Sequence, residues 1–484
     1  MPDSTRRRSG ASSAARVWPQ LPTELAEHII SFLEPNEVPG FRLVNQAAAA
    51  QFRGPPYTTI RLSQPVPPQL FAAHWLAPGS TRGFTLKRRW QLLSLTATSG
   101  VVANLEVALR AAGCTLTPEV FLAAAAAGRL DMCRWLLQRG CPTTKDGASG
   151  SQLLDANALG GQQHVCEWLM GLNLTWMWDG GFCEAARGGH VDLMEWLLQR
   201  RPQLDVSHSF EEEAMWCVAG AANSCDLPTL QRLWRRWGEP SSTTSKSMIG
   251  VAAVSTTRDW AAKIEWLEAQ GCPRGCDWAA TTAARSVDAV ARLAWLRERG
   301  YSLNPRAVWM AACVRDAAAL RYLLVEAAVP PDPQWIGGMV KFGEDGNLEA
   351  LQALHAAGWP LDPGLLGCEA AQHGQLRVLS WLLEVLGEEA LGMGAQLFAC
   401  AAESGSVELL AWLRRHGCEW GPEAFTAAVE SGCEEAVEWL LTKGCTVEAG
   451  GAPYLAACRN GDLATVRLLR RLGVPWDAVG APAV

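Results

Sequence analysis

The chain has 484 residues, of which 49% are apolar and 19% charged, with a net charge of −7. That is enough apolar surface to fold, and the acidic balance offers no basic face for nucleic acid. No apolar run approaches the roughly 18–20 residues that a membrane span needs. Sixteen cysteines stand out. They form no C-x-x-C pair, and Cys272 and Cys276, the nearest two, lack the second pair or histidines of a zinc site. The expectation is buried thiols, acting as small hydrophobes in a reducing compartment, the cytoplasm or nucleus.

Residues 1–16 carry Arg6, Arg7, Arg8 and Arg16 among serines. They read as a solvated, disordered tail, with a transit peptide as the alternative. Residues 17–54 read VWPQLPTELAEHIISFLEPNEVPGFRLVNQAAAAQFRG. Pro22 and Thr23 mark a helix start, and Glu24 suits the positive end of its dipole. Leu21, Leu25, Ile29 and Phe32/Leu33 form an i, i+4, i+8 stripe, and Pro35 is expected to end the helix. A second helix, with Phe41, Val44 and Ala48, is expected after Pro39. Residues 55–90 form a connector rich in proline and glycine. Thr58 to Leu62 is expected as one short strand, and Arg88 and Arg89 as solvated cations.

Residues 91–480 repeat. The chain reads AAAAGRLDMCRWLLQRGCP near 128, EAARGGHVDLMEWLLQRRP near 189 and CAAESGSVELLAWLRRHGC near 405. Trp135, Trp168, Trp196, Trp266, Trp295, Trp381, Trp412 and Trp439 share one slot in this frame. Tyr322, Ala353 and Leu468 fill it elsewhere. Counting slots gives about thirteen units, with irregular ones near Leu105 and Leu233. Each second helix is amphipathic: Ala436, Val437, Leu440 and Leu441 make one stripe at the 3.6-residue period. A glycine follows it, as at Gly140, Gly271, Gly300, Gly358, Gly417 and Gly444, where a left-handed residue is favoured. Proline opens several first helices, at Pro118, Pro305, Pro363, Pro422 and Pro453. The slot tryptophans are expected to cover the seams between units. A second set, Trp176, Trp359, Trp420 and Trp476, falls in the loops after the repeat glycine. These are the better candidates for exposure and for anchoring a partner.

Two resemblances follow. Thr117-Pro118, Phe121, Ala123-Ala124 and Gly128 resemble the ankyrin T-P-L-H-x-A-A-x-x-G-H signature. Val437 to Leu441 before Gly444 resembles the ankyrin V-x-x-L-L-x-x-G-A. The T-P-L-H histidine is missing throughout, so its hydrogen bonds must be replaced, although His190 holds the position of the inter-helix-turn histidine. Cys114, Cys141, Cys272, Cys418 and Cys445 stand where ankyrins carry alanine. Many units have 27 to 29 residues, short of the usual 33 or so, so short loops are expected in place of β-fingers. Leu21, Pro22, Glu24, Leu25, Ile29, Leu33, Arg42, Val44 and Asn45 resemble the F-box. Pro39-Gly40 departs from its D-L-x-x-L run. The resemblance implies docking on a Skp-type adaptor of a cullin–RING ubiquitin ligase, through Leu21, Pro22, Leu25, Ile29, Leu33 and Val44. The alternative is a helical hairpin that only caps the first repeat.

No catalytic constellation is present: no G-x-x-x-x-G-K-[ST], no H-E-x-x-H and no G-x-S-x-G, and the eight histidines are scattered. The expected fold is an all-α, ankyrin-like solenoid of about thirteen helix-turn-helix repeats behind an F-box-like segment. Helices stacked about 10 Å apart would give it a length on the order of 120 Å and a long concave face. The expected role is a monomeric, cofactor-free substrate adaptor, with neither nucleic acid nor membrane as partner. Its alternative is an ankyrin scaffold without a ligase link.

Overall fold

The computed structural model describes residues 23–42, 46–144, 150–172, 181–200, 210–237, 242–274, 278–332, 347–448 and 450–476. Among them every regular element is helical. The unit at 395–418 shows why. Gly394 leads into the helix Ala395–Glu403, whose Ala401 and Ala402 are buried. Small side chains there let neighbouring backbones approach. The Ser406 hydroxyl then accepts the Leu409 N–H at 3.3 Å and caps the second helix, Val407–Arg415. Leu409, Leu410 and Leu413 fall on one face and are buried, each contributing about 1.5–3 kcal/mol. The helix closes when the Cys418 N–H reaches back to the Leu413 carbonyl at 3.0 Å, which requires the left-handed φ of +78° at Gly417.

This plan recurs. Twelve helix pairs run from Leu86–Ser99 with Val102–Ala112 to Ala452–Arg459 with Leu463–Arg471. One more helix, Leu348–Ala356, follows 333–346, which lie outside the described residues. First helices pack on first helices down the array: Phe182–Arg187 on Phe210–Ser224, and Ala395–Glu403 on Glu423–Ser431. The loop glycines with positive φ and Pro118, Pro305 and Pro363 at helix starts match the sequence reading, and twelve pairs stand among the described residues against about thirteen expected.

Four expectations change. There is no strand over Thr58–Leu62: Thr58 closes a short helix, Pro55–Thr58, and the next residues run irregularly. The first pair begins at Leu86 rather than 91, with Thr85 as its cap. In the head, the first helix ends at Ser31, well before Pro35, and Pro39 lies inside the short helix Val38–Phe41, because proline is tolerated in a first turn. The largest change concerns Arg89. It is not solvated but 2% exposed, and it binds Asp462, 373 positions away. The array therefore does not extend as an open arc. Small rotations between units accumulate until the first pair meets the last ones.

Candidate functional site

The head carries an open apolar face. On the helix Thr23–Ser31, Ala26 is buried while Leu25 is 52% and Ile29 40% exposed, and Phe32 just beyond is 77% exposed. Leu33 is half-buried. Leu21, Pro22 and Val44 lie outside the described residues. The head is tied to the connector by Asn36, a buried side chain whose Nδ2 donates to the carbonyls of Arg61 (2.7 Å), Gln64 and Pro65 (both 3.1 Å). Its Oδ1 accepts the Arg61 N–H at 2.7 Å. The next residue, Val66, passes the connection on, since its carbonyl accepts Asn104 Nδ2 at 2.8 Å within the first pair of the array.

The loop tryptophans do not form one set. Trp359 is 3% exposed and belongs to the core, so it cannot anchor a partner. Its N–H closes the preceding helix on the Leu354 carbonyl, which folds the ring inward. Trp420 is half-buried between Phe398 and the Arg414 guanidinium, which stacks 3.9 Å from its ring. Trp476, beside Tyr454, is 49% exposed. Trp176 lies outside the described residues. The slot tryptophans are all half-buried. Four of them meet aromatic rings of the adjacent unit: Trp168 meets Phe121, Trp266 meets Trp234, Trp295 meets Trp260 and Trp381 meets His355. An arginine four residues on covers the exposed face of Trp135, Trp196 and Trp295. Two further tryptophans are prominent on first helices, Trp216 and Trp278, both exposed, with the Arg306 guanidinium over the Trp278 ring.

Buried cations tie some neighbouring units together. Three residues before the slot, most units bury an apolar side chain: Met132, Val165, Val378, Leu409. Two neighbouring units bury Lys263 and Arg292 instead. Lys263 Nζ donates to the Ala222 carbonyl at 3.1 Å and to the Ser255 and Thr257 hydroxyls at 2.8 and 2.7 Å. Arg292 donates to the Ala253 and Ser255 carbonyls and to Asp288. In each case the cation serves the carbonyl end of the preceding unit's first helix, where the sequence has no turn glycine. Asn347 serves the Ala312 carbonyl in the same way. Burial lowers the Lys263 pKa, with Asp259, 3.8 Å away, opposing that shift. The sequence reading missed these residues, and the one available signal was a polar side chain in a slot that is otherwise apolar.

The cysteines are mostly buried, and Cys458 is exposed. Burial pushes Cys133, Cys141 and Cys166 up to about 12, and Cys114, Cys272 and Cys418 up to about 11. Among the described residues no group of three or more His, Cys, Asp or Glu is placed to hold a metal ion. None of their helices is long and apolar enough to cross a membrane. A polar cleft of about 510 Å³ runs where the first helix of the array meets the last units, between Lys87, Arg88, His373, Glu403 and Glu430. Burial and the nearby Glu430 raise the Glu403 pKa.

No protein-family model matches the chain, and no curated protein is similar in sequence to it.

Proposed function

We propose that the protein is a binding adaptor rather than an enzyme: an ankyrin-like solenoid that holds a protein substrate, joined to an F-box-like head that docks on a Skp-type adaptor of a cullin–RING ligase. The observation that carries the reading is the stripe of Leu25, Ile29 and Phe32, left open to solvent at one end of a helical array. Exposed apolar clusters of this kind mark interaction sites, and Leu25 and Ile29 are positions through which the F-box resemblance implies docking. Among the described residues of the array, Trp216, Trp278 and Trp476 are exposed aromatic side chains available to a substrate.

The test is capture of a purified Skp-type adaptor by the intact chain. Leu25→Asp and Ile29→Asp should abolish capture while leaving the helical content unchanged. If the intact chain captures no adaptor, the head is a cap and the protein an ankyrin-like scaffold without a ligase link. The tie from Asn36 to the connector is the feature that favours this second reading.

A further inference from the structure

The two ends of the array meet along a seam. The inter-helix turns at Gly405, Gly432 and Gly461 face Thr85, Leu86 with Arg89, and Thr115 in that order. Two backbone hydrogen bonds cross the seam: Thr115 N–H to the Gly461 carbonyl at 3.1 Å, and Ala464 N–H to the Gly113 carbonyl at 2.9 Å. At its centre lies Arg89. Nη1 donates to the Ala112 carbonyl and to Asp462 Oδ1, both at 2.8 Å. Nη2 donates to the Gly432 carbonyl at 2.8 Å and to Asp462 Oδ2 at 2.5 Å. Asp462 is 1% exposed and also caps the last helix, accepting the Thr465 N–H and hydroxyl. A Cβ on Gly432 would fall 2.5 Å from Arg89 Nη2, so the turn leaves room for the guanidinium. Outside this core, Arg82 and Arg471 both pair with Glu434 and Glu438.

A buried ion pair adds little net stability over apolar side chains of the same size, but it accepts one geometry only. Here one guanidinium joins a carbonyl of the first pair to two groups of the last two units. We infer that Arg89 and Asp462 are a positioning pair: they lock the array into one closed turn and fix the head end against the last three units. The head reaches this seam through Asn36, the connector and Asn104. A partner on the head and a partner on units 395–471 are thereby held at a set distance, although the two regions are far apart in sequence. This rests on the adaptor reading above for its purpose, but not for its geometry.

The test is hydrogen exchange on the full chain with Arg89→Met and, separately, Asp462→Asn, which keeps an acceptor for the Thr465 N–H. The Thr115 and Ala464 amides should exchange at least tenfold faster. Cys272 and Tyr301 amides, bonded within mid-array units, should be unchanged, as should adaptor capture. Arg89→Lys, a point charge without the fork, should give an intermediate rate. Unchanged exchange at Thr115 and Ala464 would overturn the inference. So would an equal loss of protection at Cys272 and Tyr301, because the pair would then serve overall stability rather than position. Loss of adaptor capture in the unsubstituted chain would remove the adaptor reading and leave the seam result standing.

Discussion

The units at 395–471 and those at 215–299 meet the same need by different means. Each first helix ends in carbonyls that lack a partner. In the C-terminal units a glycine with positive φ turns the chain so that its own N–H groups reach back, as Asp462 N–H does to the Ala457 carbonyl at 2.9 Å across Gly461. In the central units the turns at 222–226 and 253–257 lack such a glycine, and Lys263 and Arg292 from the next unit supply the donors. A local solution makes each unit self-sufficient. A borrowed donor makes one unit depend on its neighbour.

Substitutions sharpen that contrast. Lys263→Met should be the most damaging, because it removes the buried donor to the Ala222 carbonyl and the cation that joins the Ser255 and Thr257 hydroxyls. The expected cost is about 3 kcal/mol by chemical denaturation, at the upper end for a lost buried partner. Its effect should spread to both units at the junction in hydrogen exchange, and confinement to one unit would break the comparison. Gly405→Ala should cost about 2 kcal/mol, from the left-handed backbone and from a Cβ placed 2.7 Å from that of Cys433. Gly444→Ala has the same sign of φ, +79°, but open space around the new Cβ. It should cost only about 1 kcal/mol, and the difference between the two glycines measures the contact alone.

The repeat was legible because its determinants are local. Glycine after Leu440-Leu441, proline at 118 or 305, and the 3.6-residue stripe each act within one unit, so the copies reinforce one another. Arg89 was not legible. It stands beside Arg88 in a basic run, and only the summed rotation of all the units brings Asp462 to it. The open arc was the natural expectation for the same reason, since no single junction encodes closure. In the candidate site, the Leu25 and Ile29 stripe followed from helical spacing. Trp359 did not: it shares its sequence context with Trp420 and Trp476, yet it is buried in the core while Trp476 is open.

The thiols give the smallest effect. At neutral pH a thiol reagent should modify the exposed Cys458 fast and the buried Cys133, Cys141 and Cys166 slowly, because burial shields these thiols and raises their pKa. The sign of the pH dependence follows. Unfolded thiols ionise near 9, whereas folded Cys133 and Cys141 hold their protons to about 12. Stability from this source is intact below pH 9 and falls as pH rises through that window. Rapid modification of Cys133 in the native protein would show that its burial is not maintained in solution.

Closure is the most direct point at which to test the whole arrangement. Small-angle X-ray scattering of the intact chain should match the closed array, with the head end beside units 395–471. A profile that instead requires an open arc, with a length on the order of 120 Å for helices stacked about 10 Å apart, would contradict it.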